Sequence, residues 1–289
     1  MPHTQHNLDS LRVLSQIFSP ANFNSVVRKN DESYTVKKIK THFENSLQHA
    51  ASKKIVLKSL YQTLQQHYKN EYVFKNILLN KVIEDHGAAD VTVLDEFKVG
   101  NSIADFVLLN GEAQIFEIKT DLDGLEKLNK QVLDYTQFAD KVYVVSSEKH
   151  VNKLIELYFD STIGIIELNE RNVLREVKPA KNNSKNFNHV TIFKTLRTQE
   201  YLRIVNQFFG YVPQVPNTKI FRSCLSMIEK LDVNLFQKAA FKRLKERKLK
   251  CPDLLASSKT PNELRQICHT LDLTAFEYDI LYRFLKQPI

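Results

Sequence analysis

The sequence contains few glycines, and they are confined to one part of the chain. All six lie between Gly87 and Gly210, and four of them fall between Gly87 and Gly124. The first 86 residues and the last 79 contain none, and both regions show helical periodicity. Because glycine marks turns, this distribution predicts a β-containing core between two mostly helical arms.

Cysteines are also scarce, and long hydrophobic runs are absent. Cys224, Cys251 and Cys268 are odd in number and far apart, without a CxxC pair. This spacing argues against a disulfide framework or a zinc site and predicts free thiols in a reducing cytosol. No apolar run reaches the length of a membrane span, and the N-terminus does not resemble a signal peptide. We therefore expect a cytoplasmic protein without a membrane partner.

Several common catalytic and cofactor motifs are missing as well. The nine histidines show no HxH or HxxxH pairing, which argues against a histidine-bound metal. The chain has no P-loop, no Rossmann glycine fingerprint and no GxSxG motif.

Charge is distributed unevenly along the chain. Residues 1–170 hold 19 basic and 23 acidic side chains, a net of −4, whereas residues 171–289 hold 22 and 10, a net of +12. The basic part could hold a polyanion, although a solvated basic surface is the alternative interpretation. Within it, residues 242–250 carry six positive charges against one negative charge and could follow a phosphate backbone.

The most informative segment is a predicted hairpin that carries acidic residues on two strands. Asp105 lies on the first strand, and Asn110-Gly111 suits a tight turn into a second strand with Glu117-Ile118-Lys119. Side chains alternate along a strand, so Glu117 and Lys119 should share one face. Two carboxylates and a lysine on one polar face suit a divalent metal beside a phosphate, which points to a nuclease.

Hydrophobic periodicity and turn residues divide the chain into three predicted regions. These are a helical N-terminal arm over 1–69, an α/β core over 70–170 and a basic helical C-terminal region over 190–289. Helices are predicted at 8–18, 35–48, 52–68, 70–85, 123–138, 147–158, 192–208, 217–230, 232–249 and 261–286. Strands are predicted at 91–99, 103–109, 114–119, 141–145 and 163–168, and a linker at 179–188. The core thus has the order helix, three strands, helix, strand, with a mixed sheet.

This order resembles the PD-(D/E)XK nuclease superfamily, whose restriction-endonuclease-like core is αβββαβ. Asp105, Glu117 and Lys119 match its motif, and Gln131 with Tyr135 matches the Q-x-x-x-Y pattern of RecB-like members. Residues 55–150 also resemble an uncharacterised family of small bacterial PD-(D/E)XK-like proteins. The resemblance implies Mg²⁺ or Mn²⁺ as the cofactor and Asp105, Glu117 and Lys119 as the catalytic residues.

The metal ligands expected on this basis are Asp105, Glu117 and the Ile118 carbonyl, since hard divalent cations prefer oxygen. A further acid should come from upstream, and Glu96 is ranked slightly above Glu71 because a charged residue in a central strand is costly unless it is paired or metal-bound. Lys119 is expected to stabilise charge and position water rather than act as a general base.

Nucleic acid is the expected partner, and the sequence favours DNA over RNA. The expected contacts are Gln131, Tyr135, Lys242, Arg243, Lys245, Arg247 and Lys248. For Gln131 and Tyr135, packing of their helix on the sheet is an equal alternative. The helical arms could bind a protein partner or a second copy of the chain.

We therefore predict a bacterial metal-dependent deoxyribonuclease, with a role in defence against phage and mobile elements or as a toxin effector as possible contexts. The alternative is a nucleic-acid-binding or scaffolding protein that keeps a nuclease-like fold without catalysis.

Overall fold

The computed structural model describes residues 8–43 and 52–289, which form an α/β protein with one mixed sheet. Before the sheet come five helices: α1 Leu8–Ile17, α2 Pro20–Lys29, α3 Ser33–His42, α4 Lys53–His67 and α5 Glu71–His86. The sheet region contains β1 Thr92–Val99, β2 Ser102–Asn110, β3 Glu112–Lys119, α6 Leu128–Thr136, β4 Lys141–Ser146, α7 Glu148–Leu157, β5 Gly164–Leu168 and β6 Leu174–Lys178. The later helices are α8 His189–Lys194, α9 Thr198–Phe209, α10 Asn217–Ile228, α11 Val233–Leu244, α12 Pro252–Ala256, α13 Arg265–Leu271 and α14 Ala275–Lys286.

The chain folds as two compact units, each built from segments that are not contiguous in the sequence. The first comprises Met1–Ala89, Glu170–Asn172 and Leu249–Ile289, and the second comprises Asp90–Asn169 and Val173–Lys248. The three regions predicted from the sequence do not coincide with these units. The predicted core of residues 70–170 is divided, since α5 belongs to the first unit and the sheet belongs to the second.

Within the first unit, N-terminal and C-terminal helices share one core. Helix α14 packs on α2 and α4, and α13 packs on α2 and α5. The buried Lys53 ammonium donates to Glu32 Oε2 at 2.7 Å and to Gln287 Oε1 at 2.9 Å. These contacts fix the start of α4 against the chain that follows α14. Pairing of a charge that is only 4% exposed offsets its desolvation.

The second unit is built on a six-stranded sheet in the order β1-β2-β3-β4-β5-β6. β1, β2 and β3 are antiparallel neighbours, β4 runs parallel to both β3 and β5, and β6 is antiparallel to β5. The parallel connections pass through α6 and α7, as parallel strands require a crossover. Helix α6 packs on β2 and β4, and its Leu128, Val132 and Tyr135 enter the core.

The predicted αβββαβ order over residues 70–145 is confirmed, and each of the five predicted strands is present within a few residues. The turn between β2 and β3 is tighter than expected, because Asn110 and Glu112 pair and only Gly111, with φ of 74°, remains between them. Three of the described helices and strands were not predicted, namely helix α2, helix α12 and strand β6. Strand β6 has only five residues, of which three are charged and two are apolar, which is typical of an edge strand and gives a weak signal.

Three predicted helices are shorter than their apolar patterns. The helix predicted from residue 123 begins at Leu128, because the Asp123 carboxylate accepts from the Thr120 N–H and hydroxyl and fixes a turn. The helix predicted over 232–249 ends at Leu244. The helix predicted over 261–286 is interrupted at Asp272, whose φ of 46° ends α13, and Thr274 and Glu277 then form a capping box at the start of α14.

The helix predicted over 192–208 is also divided, because α8 ends at Lys194 and α9 begins at Thr198. The predicted linker at 179–188 contains one short 3-10 turn, Ser184–Asn186. The prediction of helix over 44–48 lies outside the described residues. None of the described helices is both long and apolar enough to cross a lipid bilayer.

Candidate active site

Asp105 lies where the ladder between β2 and β3 opens. The last pair of β2 and β3 at this end is Phe106 with Phe116. Beyond this pair, the Ile118 N–H of β3 donates to Asp105 Oδ2 of β2 at 2.7 Å. A side-chain carboxylate here takes a backbone donor of the neighbouring strand. The half-buried Asp105 is therefore held at a defined position between the two strands.

Glu96 lies directly across from Asp105 on β1. Asp95 pairs with Phe106 and Phe97 with Ala104, so the register places Glu96 opposite Asp105. Each of these two acids offers a carboxylate oxygen within 4.8 Å of the other. Like charges opposed across a strand pair are destabilising.

The backbone of Glu96 is unusual for a strand. Its φ is 50°, in the left-handed region that residues with a Cβ rarely adopt. Such strain costs on the order of 1–3 kcal/mol and clusters at functional sites. A strained backbone that holds one carboxylate opposite a second suits a bound cation, which would offset both costs.

Glu117 lies in a different environment, inside the protein. Its side chain is 1% exposed. Its Oε1 accepts from Lys119 Nζ at 2.7 Å and from Gln131 Nε2 at 2.6 Å, while Oε2 accepts from the Tyr135 hydroxyl at 2.7 Å. Burial raises the pKa of Glu117, and the nearby Lys119 charge and these hydrogen bonds oppose that rise. The ion pair between Glu117 and Lys119 on one strand face agrees with the predicted alternation.

Tyr135 connects this carboxylate to β2. Its fully buried hydroxyl is 2.7 Å from both the Ile103 carbonyl oxygen and Glu117 Oε2, although it has one proton to donate. Burial raises the pKa of Tyr135, and the Glu117 charge adds to this effect. The side chain is buried, its helix packs on the sheet and its hydroxyl contacts Glu117, which agrees with the alternative interpretation of packing; nucleic-acid contact by Tyr135 stays a prediction.

Gln131 also orients the Glu117 carboxylate, through its side-chain amide. Its Nε2 donates to Glu117, and its Oε1 is buried without a hydrogen-bond partner among the described residues. A buried acceptor of this kind usually has a water or ligand partner.

Asp134 was not predicted as part of the site, and it fixes the turn between β1 and β2. Its Oδ2 accepts from the Ser102 hydroxyl at 2.6 Å and from the Asn101 N–H at 3.1 Å. At Gly100, whose φ is 61°, a Cβ would lie 2.8 Å from Asp134 Oδ1. The only available signal in the sequence was its place inside the Q-x-x-x-Y segment, next to Tyr135.

Two further metal ligands were predicted, the Ile118 carbonyl and, as the alternative to Glu96, Glu71. Ile118 lies in β3 opposite Val145 of β4. Glu71 lies in the first turn of α5, in the first unit, where its Oε1 contacts Lys75 Nζ at 2.6 Å. In the second unit, Glu96 and Asp105 are the two acids whose positions and oxygen chemistry fit a hard divalent cation. Glu117, whose two oxygens are already engaged by the protein, fits less well as a direct ligand.

Among the nucleic-acid contacts predicted at residues 242–248, both arginines form ion pairs within the protein. Arg247 donates to both Glu200 oxygens, at 2.7 and 2.6 Å, and to the Thr195 carbonyl. Arg243 pairs with Glu246 at 3.0 Å. The three lysines of this predicted set are Lys242, Lys245 and Lys248; Lys242 and Lys248 are exposed and Lys245 is half-buried.

Comparison with known proteins identifies a phage family. The family described as Bacteriophage P4 protein cII matches residues 64–267, which is more than half of the chain. Protein cII of Enterobacteria phage P4 is 31% identical over 86 residues, which cover 29% of this chain and 32% of that protein. The match thus spans about a third of that relative's length. No solved structure shows a significant match. The chain belongs to the bacteriophage P4 protein cII family.

Proposed function

We propose that the second unit is a metal-dependent nuclease that hydrolyses phosphodiester bonds, with DNA as the favoured substrate. The observation that carries the proposal is the opposition of Glu96 and Asp105 across β1 and β2, with Glu96 in a left-handed conformation. Opposed like charges and a left-handed glutamate each cost free energy, and a bound cation would offset both costs. The resemblance of Asp105, Glu117 and Lys119 to the PD-(D/E)XK motif supports the same conclusion.

Each residue of the site has a distinct task in this proposal. Asp105 and Glu96 would hold Mg²⁺ or Mn²⁺, and Asp105 is kept in place by the Ile118 N–H. A divalent cation supplies Lewis acidity towards the phosphate and lowers the pKa of bound water.

Lys119 is the cation of the motif that resembles PD-(D/E)XK. Its ammonium is held 2.7 Å from Glu117 Oε1, and its side chain is 12% exposed. This position lets it contact a phosphate oxygen and stabilise the negative charge that accumulates during attack by water. Glu117, Gln131 and Tyr135 then act as positioning residues for Lys119.

Cleavage of defined substrates tests the proposal. Linear, circular and single-stranded DNA and RNA are incubated with purified protein in Mg²⁺, in Mn²⁺ and in EDTA. We expect cleavage of DNA that EDTA abolishes and that Asp105→Asn reduces at least ~100-fold, since the metal supplies several kcal/mol of transition-state stabilisation. The matched control is Glu156→Gln, an exposed acid on α7 in the same unit. Equal cleavage by the Asp105→Asn variant or in EDTA would contradict the proposal.

A second candidate is a nuclease-like fold that binds nucleic acid without cleaving it. The observation that favours it is the complete engagement of both Glu117 oxygens by Lys119, Gln131 and Tyr135. It predicts binding that weakens steeply with salt, because phosphate contacts dominate such affinity. Salt-dependent retardation of DNA in gels without product in Mg²⁺ or Mn²⁺ would support this candidate over the nuclease.

A further inference from the structure

The first unit contains a strongly basic cavity, and none of the residues that line it belongs to the proposed nuclease site. Its volume is about 590 Å³, within the usual range for small-molecule sites. Four cationic side chains line it, Lys54, Lys259, Arg283 and Lys286, against one acid, Asp279. Among the described residues, no carboxylate forms an ion pair with any of the four cations. The cavity therefore carries an excess of positive charge.

The placement of Lys54 adds to this argument. It lies in the first turn of α4, where the helix dipole disfavours a cation. The preceding residue, Lys53, is anchored by Glu32 and Gln287, so the backbone that carries Lys54 is fixed. A cation in an unfavourable helical position on an anchored segment suits an anionic ligand.

Aromatic side chains stand beside these cations. Phe276 is 68% exposed on α14, and it lies seven residues before Arg283, two helical turns away on the same face. Tyr282 also lines the cavity, with its hydroxyl 2.8 Å from Thr260 Oγ1. Phe276 and Arg283 line a second cavity of about 600 Å³ as well. Exposed aromatic rings beside cations are the combination that binds stacked bases and phosphates.

We propose that this cavity is a nucleotide site, which binds a phosphate through Lys54, Lys259, Arg283 and Lys286 and stacks a base on Phe276. The nucleotide could be free or could belong to a single-stranded nucleic acid, since both present the same chemistry. The proposal does not depend on the nuclease activity, because none of its residues belongs to the second unit.

Equilibrium binding by the full chain in EDTA, which prevents metal-dependent cleavage, tests the proposal. The probes are inorganic phosphate, dTMP and 5′-phosphorylated oligodeoxythymidylates of about 4 to 16 nucleotides, the range of strand lengths that single binding modules occupy. The charge-reversed variant is Arg283→Glu with Lys286→Glu, and Phe276→Ala removes the ring without opening the core. Lys219→Glu with Arg222→Glu is the matched control, since these exposed residues on α10 have the same types and spacing and do not line the cavity.

We expect the charge-reversed variant to weaken nucleotide binding at least ~10-fold and to reduce the slope of log Kd against log salt by about 0.7 for each phosphate interaction that the substitution removes. Phe276→Ala should weaken dTMP and oligonucleotides about fivefold or more, while inorganic phosphate is unaffected. Affinity that grows with oligonucleotide length identifies a strand, and equal affinity for dTMP identifies a free nucleotide.

Two results would overturn the proposal. One is the absence of binding by every probe at low salt. The other is binding that the control variant at Lys219 and Arg222 weakens as much as the cavity variants do. Failure of the two proposals is distinguishable, because cleavage in Mg²⁺ or Mn²⁺ tests the nuclease, whereas the effect of the cavity variants on probe binding in EDTA tests the nucleotide site.

Discussion

The opposed carboxylates of Glu96 and Asp105 should destabilise the metal-free protein by a measurable amount. Two unit charges within 4.8 Å of each other repel by at least about 0.9 kcal/mol in bulk water and by at least about 3.5 kcal/mol at an effective dielectric constant of about 20. Glu96 is exposed, so the lower figure is the appropriate one. Removing either charge should therefore raise the free energy of unfolding in EDTA and low salt by about 1 kcal/mol.

A double-mutant cycle isolates this repulsion. Glu96→Gln and Asp105→Asn should each stabilise by about 1 kcal/mol, and the double variant should gain about 1 rather than about 2 kcal/mol, because either change removes the whole repulsion. In Asp105→Asn the amide oxygen of the introduced side chain can still accept from the Ile118 N–H, so that hydrogen bond is preserved. Glu156→Gln, on α7, should change stability by less than about 0.5 kcal/mol.

Magnesium should reverse this order of stability. The parent protein should gain about 2.7 kcal/mol at a roughly hundredfold excess of Mg²⁺ over Kd, and the variants should gain much less. The chain has no tryptophan, so urea unfolding is followed by circular dichroism. Additive gains in the cycle, or an equal effect of Mg²⁺ on parent and variants, would refute the reasoning.

Two further predictions concern buried polar contacts in the second unit. Tyr135→Phe removes the buried hydroxyl that lies between Glu117 Oε2 and the Ile103 carbonyl, so we expect a loss of about 1–3 kcal/mol in urea unfolding, and a loss below about 0.5 kcal/mol would contradict this role. The pKa of Glu200 is lowered: burial acts to raise it, but hydrogen bonds from the Arg247 side chain and the backbone N–H of the α9 N-cap outweigh burial. Its contribution is therefore present above the unfolded pKa of about 4.3 and is lost as pH falls through the lower folded value, so Glu200→Gln should cost about 2 kcal/mol at about pH 7 and progressively less below about pH 4. A pH-independent difference between the Glu200 variant and the parent would contradict this assignment.

The order of elements in the core could be predicted because local signals agree there. The Gly100 and Gly111 turns delimit β1, β2 and β3, and the apolar spacing of Leu128, Val132 and Tyr135 marks the face of α6 that packs on the sheet. Where two signals compete, the prediction fails. The apolar pattern continues through Asp272, but its backbone conformation and the Thr274 cap divide the predicted helix in two.

The site could be predicted only in part, because its details depend on contacts between elements. Strand alternation predicted the pairing of Glu117 with Lys119, which is local. The position of Glu96 opposite Asp105 follows from strand register, and its left-handed φ is invisible in the sequence. Likewise, the basic stretch near Arg247 gave no sign of Glu200, 47 residues away, which uses that guanidinium for structure.

Anomalous scattering from a crystal soaked in Mn²⁺ tests the central claim most directly. The account predicts one peak at ligand distance, about 2.0–2.6 Å for hard divalent cations, from oxygens of both Asp105 and Glu96. The peak should disappear in Asp105→Asn and persist in Glu156→Gln. A crystal of the parent protein with Mn²⁺ bound elsewhere and no peak beside Asp105 would contradict the account.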